Sequence, residues 1–135
     1  MQVGHLSRLG EEHSVPVVMD DTVGFGNFPG CGVGQNGPDI VVSSLSKVFN
    51  GTGNAMGGSM VLNRDRPMYN ELKQLMEAQY ECTLYREDAE QLIQNSSNVV
   101  ARCRSVRENA AVLVDFLRTH PVSGQVLAKI ALYSF

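Results

Sequence analysis

Two short groups of polar residues combine side chains that could act together on one ligand. Asp20-Asp21-Thr22 follows an apolar stretch, and Ser44-Leu45-Ser46-Lys47 follows a second one. Functional groups of open α/β sheets gather beyond the carboxyl ends of the strands, so two neighbouring parallel strands would bring both groups to one crevice. A carboxylate, an amine and hydroxyls suit a ligand with a basic ring nitrogen, an aldehyde and a phosphate. Pyridoxal phosphate has all three features.

Each side chain would have a distinct role toward such a ligand. A lysine partly removed from water loses some preference for its charged form, so the neutral amine of Lys47 could condense with the aldehyde. A carboxylate hydrogen-bonded to the ring nitrogen keeps that nitrogen protonated, and Asp20 is the candidate for this role. Ser44 and Ser46 offer hydroxyl donors to phosphate oxygens, and their spacing in an extended segment lets both point the same way.

Three apolar segments predict the strands that would position these groups. The strands are predicted over residues 14–19, 39–43 and 58–62, which are rich in β-branched and other apolar side chains. Residues 6–13 have the polarity of the last turns of a helix, whereas residues 20–38 are glycine-rich and residues 44–57 irregular, which predicts loops. Short buried strands without strict alternation favour a mostly parallel sheet with flanking helices, in an α/β architecture.

The second half of the chain is typical of helices. Residues 67–78 and 87–94 predict two helices, with Pro67 suited to a first turn. Apolar residues then recur in alternating steps of four and three, which predicts one long amphipathic helix that stops at His120-Pro121. Its stripe is Val99, Cys103, Val106, Ala110, Leu113 and Leu117. We expect this stripe to face a core, and Tyr80 and Tyr85 to pack against the sheet.

Composition argues against several other classes of protein. The 135 residues hold 11 basic and 14 acidic side chains, a formal net charge of −3, without the Lys/Arg run that nucleic-acid or anionic-membrane binding favours. No apolar stretch approaches the roughly 20 residues that span a bilayer, and a secretory signal is lacking, so we expect a cytoplasmic protein. Three cysteines and three histidines show no metal-ligand spacing, which predicts reduced thiols and no metal site.

The polar groups and their strands resemble one family of enzymes. The matching segments, in order, are Val17-Val18-Met19-Asp20-Asp21-Thr22, Asp39-Ile40-Val41-Val42-Ser43-Ser44-Leu45-Ser46-Lys47-Val48-Phe49-Asn50-Gly51 and Gly57-Gly58. They resemble the Cys/Met-metabolism family of pyridoxal-phosphate enzymes, which includes cystathionine γ-synthases and lyases, and look most like its fungal γ-synthase-like branch. The resemblance, from about Leu6 to Pro121, implies part of the large domain of the aspartate-aminotransferase-like fold, fold type I.

Carried over position by position, the resemblance implies the roles of five residues. Lys47 would form the internal aldimine, and Asp20 would pair with the pyridine nitrogen. Ser44 and Ser46 would bind the phosphate, while Thr22 would lie close to the cofactor. In a γ-synthase, Lys47 would shuttle protons at the α- and β-carbons of an O-acylhomoserine, the acyl group would leave and a thiol such as that of cysteine would add. A lyase breaks a C–S bond by related steps, and no residue of this sequence decides between the two.

The resemblance also bears on domains and partners. It assigns residues 1–121 to the central part of the cofactor-binding domain and leaves residues 122–135 as a divergent tail. It implies a small-molecule amino-acid substrate and a homo-oligomer in the full-length family. The family's ring-stacking tyrosine, its upstream phosphate-binding turn and its C-terminal domain are expected to flank this segment. A catalytically silent fragment that binds the cofactor weakly is therefore the alternative hypothesis.

Two further motifs suggest different chemistry. Gly32-Val33-Gly34-Gln35-Asn36-Gly37 is a literal GxGxxG, but Pro38 and a strand follow it where a dinucleotide site needs a helix. Ser44-Leu45-Ser46-Lys47 also matches the SxxK of penicillin-binding proteins and β-lactamases, with Ser44 as nucleophile. That chemistry needs a helix that carries both residues one turn apart and a Lys-Thr-Gly elsewhere, so we do not favour it.

Overall fold

The computed structural model of the protein describes residues 3–24 and 34–120. The chain divides into two compact units, Met1–Val99 and Val100–Phe135. Cys31, the first two residues of the GxGxxG string (Gly32 and Val33) and the tail over residues 122–135 lie outside the described residues. The predicted loop over residues 20–38 is described only at its two ends.

The first helix ends in a tight turn that leads directly into the sheet. Helix α1 spans Val3–Glu12, in agreement with the predicted helix end, and Ser14 follows it in the left-handed conformation with φ 54°. The Val15 amide donates to the Gly10 carbonyl at 2.8 Å, a bond that closes the end of the helix. A Cβ atom at Gly10 would lie 2.6 Å from the Val15 oxygen, so this close approach requires glycine.

Three short strands form one mixed sheet in the order β1-β2-β3. Strand β1 is Val18–Asp20, β2 is Ile40–Ser44 and β3 is Gly58–Leu62, so the third strand has the predicted bounds. The first two strands pair in parallel, with Asp20 opposite Val42. Strand β3 is antiparallel to β2, with Gly58 opposite Ser44, so the prediction of a mostly parallel sheet is wrong for this strand. No crossover helix separates β2 from β3, and the Leu45 amide bonds the Gly57 carbonyl at 2.8 Å, which returns the chain to the same edge.

A buried ion pair holds the amino ends of β1 and β2. The Asp39 carboxylate accepts hydrogen bonds from the Val17 amide at 2.8 Å and from Arg66 Nε at 3.0 Å. The Arg66 guanidinium also donates to the Ser7 carbonyl at 2.7 Å and to Glu11 at 3.2 Å. We call Ser7, Glu11, Asp39 and Arg66 the Arg66 cluster. It fastens α1 and the segment after β3 to the start of the parallel pair.

The strands are less buried than the sequence predicted. All five residues of β2 are half-buried, and Val18 and Met60 are 56% and 54% exposed. A parallel strand is buried on both faces only where other elements cover both faces of the sheet. In residues 3–24 and 34–99, the structure leaves part of one face of the sheet uncovered. This part includes Asp20 and the residue two strands away in the same row, Met60.

The helices of the second half confirm the predicted pattern. Helix α2 spans Tyr69–Gln79 and α3 spans Arg86–Asn95, and a short 3-10 turn, Ser96–Asn98, precedes the long helix α4, Val99–Thr119. No helix within the described residues is long and apolar enough to cross a membrane.

The apolar stripe of α4 is mostly exposed. Cys103 is buried, but Val106 and Leu113 are 53% and 56% exposed, so the expectation of a core-facing stripe is wrong for them. The helical period predicts which residues share a face, and it contains no information on what covers that face.

Candidate active site

The carboxyl ends of β1 and β2 border an open cavity of about 680 Å³. Asp20, Thr22 and Ser44 line its polar side, so the structure brings three of the five predicted site residues to one place. Val42 and Met60 form its apolar floor, because residues paired across neighbouring strands share a face of the sheet. The cavity therefore joins Asp20 and Thr22 of the first polar group with Ser44 of the second.

Thr22 joins Asp20 to Ser44. The Thr22 amide donates to Asp20 Oδ1 at 2.9 Å, and the Ser44 amide donates to the Thr22 hydroxyl oxygen at 2.8 Å. The Thr22 hydroxyl, followed by its amide, lowers the pKa of the exposed Asp20 carboxyl below its usual value, because both hydrogen bonds favour the charged form. Asp20 is thus an anion at neutral pH.

Lys47 lies in a short turn beyond the end of β2. The turn spans Leu45–Phe49, and Lys47 interrupts its helical path with φ −97° and ψ −113°. The Lys47 side chain is exposed. Ser44 is extended, with φ −76° and ψ 117°, so Ser44 and Lys47 do not share a helix. This arrangement argues against the SxxK chemistry of penicillin-binding proteins.

Ser46 and Lys47 do not line the cavity with the other three predicted residues. The Ser46 hydroxyl instead accepts a hydrogen bond from the Gly57 amide at 3.0 Å and donates one to the Gly57 carbonyl at 3.5 Å. This contact fixes Ser46 against the residue that precedes β3. The hydroxyl therefore has a structural partner within the chain.

Helix α2 supplies a wall of the cavity that the sequence analysis missed. Met76 and Tyr80 line it, four residues apart at the end of the helix. Tyr80 and Tyr85 are 69% and 65% exposed, so the prediction that they pack against the sheet is wrong. A hydrogen bond with the Cys82 thiol raises the pKa of the Tyr80 phenol. The spacing of Met76 and Tyr80 was visible in the sequence, but nothing there indicated which strand end they would approach.

The groups at this edge suit a cofactor with a protonated ring nitrogen. Asp20 offers an anionic acceptor whose charge is secured by Thr22, and Ser44 offers a hydroxyl. Among the described residues, no group of three or more His, Cys, Asp or Glu side chains could hold a metal ion.

Comparisons with known proteins agree with this chemistry. Residues 1–129 match the family described as Cys/Met metabolism PLP-dependent enzyme. The chain is 44% identical, over 118 residues, to the cystathionine gamma-synthase-like enzyme iboG1 of Amanita muscaria (strain Koide BX008), covering 87% of this chain and 19% of that protein. It is 37% identical, over 117 residues, to the cystathionine gamma-synthase of Neurospora crassa, covering 87% of this chain and 18% of that protein.

A third relative carries a different name. The chain is 37% identical, over 113 residues, to the alanine racemase ungC of Aspergillus violaceofuscus, covering 83% of this chain and 19% of that protein. The chain spans about a fifth of the length of each of these three relatives.

Proposed function

The chain belongs to the Cys/Met metabolism PLP-dependent enzyme family, and we propose that it carries part of the cofactor-binding domain of a cystathionine γ-synthase-type enzyme. Enzymes of this family depend on pyridoxal phosphate. The proposal of γ-replacement draws on the names of two similar proteins, from Amanita muscaria and Neurospora crassa. The observation that carries the assignment of the site is the alignment of Asp20, Thr22 and Ser44 along one cavity at the carboxyl edge of the parallel pair.

Asp20 is the residue that we assign to the ring nitrogen. Its carboxylate is held in the charged form by the hydroxyl and amide of Thr22, so it can accept a hydrogen bond from a protonated pyridine nitrogen. The cofactor supplies an electron-withdrawing ring that stabilises negative charge at the α-carbon of a bound amino acid. Thr22 would keep the carboxylate oriented, because the Ser44 amide in turn fixes the Thr22 hydroxyl.

Lys47 is the residue that we assign to the aldehyde carbon and to proton transfer. Its exposed amine would act as nucleophile when neutral, and would later accept and return a proton at the substrate's α-carbon. The hydroxyl of Ser44 would donate to a phosphate oxygen. Ser46 would do the same by exchanging its 3.5 Å bond to the Gly57 carbonyl for one to the phosphate, while its oxygen keeps the bond from the Gly57 amide.

In γ-replacement, the bond between the γ-carbon and its acyloxy oxygen breaks, the acyloxy group leaves as a carboxylate, and the sulfur of a thiol, having lost its proton, bonds to the γ-carbon. We propose an O-acylhomoserine as the substrate that loses its acyloxy group. Cysteine, or another nucleophile, would take the place of that group at the γ-carbon. The chemistry demands one base that reaches both the α- and β-carbons, and a flexible lysine amine meets that demand. Cleavage of a C–S bond in the manner of a cystathionine lyase uses the same residues and is the alternative reaction.

A catalytically silent chain is the alternative from another class. The observation in its favour is that Ser46 and Lys47 do not line the cavity that Asp20, Thr22 and Ser44 share. Under this hypothesis the chain folds but neither concentrates the cofactor at Lys47 nor turns over substrate.

Reductive trapping of the cofactor distinguishes these hypotheses. The chain is incubated with pyridoxal phosphate, reduced with borohydride and digested, and the modified lysines are quantified by mass spectrometry. We expect Lys47 to be labelled in preference to Lys73, a half-exposed lysine of α2 that serves as the internal control. We expect Asp20→Asn to weaken this preference and Asp65→Asn, at an exposed residue after β3, to leave it unchanged. Equal labelling of Lys47 and Lys73 would contradict the proposed site.

The type of reaction needs a separate measurement. The protein is supplied with O-acetylhomoserine and cysteine in one assay and with cystathionine in another. Formation of cystathionine supports γ-replacement, whereas release of a thiol from cystathionine supports the lyase. A chain that labels Lys47 and Lys73 equally and forms neither product supports the silent hypothesis, whereas preferential labelling of Lys47 without either product supports the cofactor site and contradicts both reactions.

A further inference from the structure

The loop that follows Lys47 is organised around one fully buried amide. Asn50 has no exposed surface. Its backbone amide donates to the Leu45 carbonyl at 2.9 Å, and the next amide, of Gly51, donates to the Lys47 carbonyl at 2.8 Å. Gly51 and Gly53 have φ of 76° and 73°, values that favour glycine, so the loop turns sharply on both sides of Thr52. Asn50 therefore belongs to the same backbone unit as Lys47.

The Asn50 side chain closes this loop in either orientation of its amide. With its oxygen toward the backbone, Oδ1 accepts from the amides of Gly53, Asn54 and Ala55 at 3.1, 3.1 and 3.2 Å, and Nδ2 faces the side-chain amide of Asn95. In the opposite orientation, Nδ2 donates to the Ala55 carbonyl at 3.4 Å. A buried amide costs free energy unless its groups are bonded, so these contacts hold the loop closed.

Asn95, at the end of α3, fastens the loop from outside. When the Asn50 oxygen is turned toward α3, Asn95 Nδ2 donates to Asn50 Oδ1, which lies 45 residues earlier in the sequence. Asn95 Nδ2 also lies 2.9 Å from Thr52 Oγ1 and 2.8 Å from Asn54 Oδ1. The nitrogen carries only two hydrogens, so these oxygens share its donors. One uncharged side chain thus joins three residues of the loop to a helix.

Helix α3 also supports the other side of the Lys47 turn. Leu92, which is buried, lies against Gly57, where an added Cβ atom would come within 2.8 Å of the leucine methyl Cδ1. Gly57 is the residue whose amide bonds Ser46 and whose carbonyl bonds Leu45. The segment that carries Lys47 is therefore held at both ends by residues of one helix.

We infer that Asn95 is a positioning residue for Lys47: through Asn50 and its loop, it fixes the backbone turn that directs the amine. Asn95 acts through other residues and does not contact the reacting atoms. The inference rests on the proposed function in one respect: the position of Lys47 matters for catalysis because Lys47 is the lysine that we assign to the aldehyde. Its structural part, the fastening of the turn, is independent of that assignment.

Two measurements on Asn95→Ala test this inference. The first is hydrogen–deuterium exchange, followed by peptide mass spectrometry, of the segment over residues 47–55. We expect exchange there to be about tenfold faster, the equivalent of losing one buried hydrogen bond, while exchange in β3 stays unchanged. The second is borohydride trapping of pyridoxal phosphate, in which we expect the ratio of label at Lys47 to label at Lys73 to fall.

A matched control and a milder variant accompany the test. Gln94→Ala makes the same kind of change at an exposed neighbour on α3 and should alter neither measurement. Thr52 is exposed, and Thr52→Val removes one of the oxygens that share the Asn95 donors. This variant should produce the same two changes at smaller size, and it tests the inference if Asn95→Ala does not fold.

The outcomes are separable. Unchanged exchange over residues 47–55 would overturn the inference, and so would faster exchange throughout the first unit, which indicates general destabilisation. Faster local exchange with an unchanged labelling ratio would also overturn it, since the turn would then loosen without consequence for Lys47. If the unsubstituted chain labels Lys47 and Lys73 equally, the proposed function fails, and the exchange measurement alone decides whether Asn95 fastens the turn.

Discussion

The two ends of the parallel strand pair differ sharply. At the amino ends, Asp39 and Arg66 are buried, with side-chain exposures of 2% and 3%. At the carboxyl ends, the side chains of Asp20 and Lys47 are exposed. Charged residues at the first end satisfy one another, whereas Asp20 and Lys47 at the second end face solvent. The difference shows how a small sheet can separate the residues that stabilise it from those that we propose for chemistry.

The buried end matters because the apolar core is small. In the described residues of the first unit, the buried apolar side chains are those of Pro38, Ala55 and Leu92. Buried polar side chains outnumber them and include Asp39, Asn63 and Arg66. We expect substitutions at the amino ends of the strands to change the free energy of unfolding far more than substitutions at the carboxyl ends.

The largest effect is expected at the Arg66 cluster. Arg66→Met leaves the buried Asp39 carboxylate with the Val17 amide alone, and loss of one partner of a buried pair costs about 3–5 kcal/mol. Urea unfolding followed by circular dichroism measures the difference. Arg64→Met, at an exposed arginine two residues earlier, is the control and should cost less than about 0.5 kcal/mol. Similar losses for the two variants would break the contrast between the two ends.

A smaller effect is expected where α3 meets the Lys47 segment. Gly57→Ala forces a Cβ atom against Leu92 at 2.8 Å and Leu84 at 3.4 Å, and such overpacking costs about 1–3 kcal/mol. Gly34→Ala is the control, because a Cβ atom there meets nothing within 4 Å. The same urea unfolding measurement applies. If Gly57→Ala leaves the free energy of unfolding unchanged, the carboxyl end is less tightly packed than the structure indicates.

Thr22 should combine a modest stability effect with an electrostatic one. Thr22→Val removes the acceptor of the Ser44 amide, a loss of about 1 kcal/mol, and raises the pKa of Asp20 toward its usual value. Because the folded pKa of Asp20 lies below its unfolded value, its stabilising contribution is present above the unfolded pKa and is lost as the pH falls through the folded pKa. Titration of the Asp20 carboxyl by NMR checks the shift. Thr22→Ser keeps the hydroxyl and should retain the low pKa of Asp20. If the pKa of Asp20 is the same in Thr22→Val as in the unsubstituted chain, the Thr22 hydroxyl is not the cause of the shift.

The smallest effect on stability is expected at Lys47. Lys47→Ala removes an exposed side chain and should change the free energy of unfolding by less than about 0.5 kcal/mol, while it abolishes the preferential reductive labelling by pyridoxal phosphate. Lys73→Ala should leave the labelling of Lys47 intact. A large loss of stability in Lys47→Ala would place Lys47 with the structural residues and remove the contrast.

Local patterns in the sequence predicted the helices and strands better than they predicted the contacts between those elements. Residues 58–62 and the end of α4 were predicted correctly because apolar runs and a proline mark them directly. Strand β1 is shorter than predicted, since the amide of Val15 closes α1 and that of Val17 bonds Asp39.

The Arg66 and Asn95 contacts left no signal in the sequence. Their partners are up to 59 and 45 residues away, and a lone arginine or asparagine has no spacing to detect. The proximity of Asp20, Thr22 and Ser44 could be predicted, because neighbouring parallel strands bring their carboxyl ends together. The roles of all five residues toward a cofactor, those of Ser46 and Lys47 included, remain predictions from the sequence.

The bond between the Leu45 amide and the Gly57 carbonyl has a consequence for how this segment can change in evolution. It ties both ends of the intervening loop to one point on the sheet, so the entropy of closing the loop does not depend on the rest of the chain. That entropy grows slowly, by about 0.6 kcal/mol for each doubling of length. Insertions at the exposed tip between Gly51 and Gly53 should therefore cost the sheet little, although they would break the Asn95 contacts to Thr52 and Asn54. The loop could diversify among relatives while the strand ends beneath it stay in register.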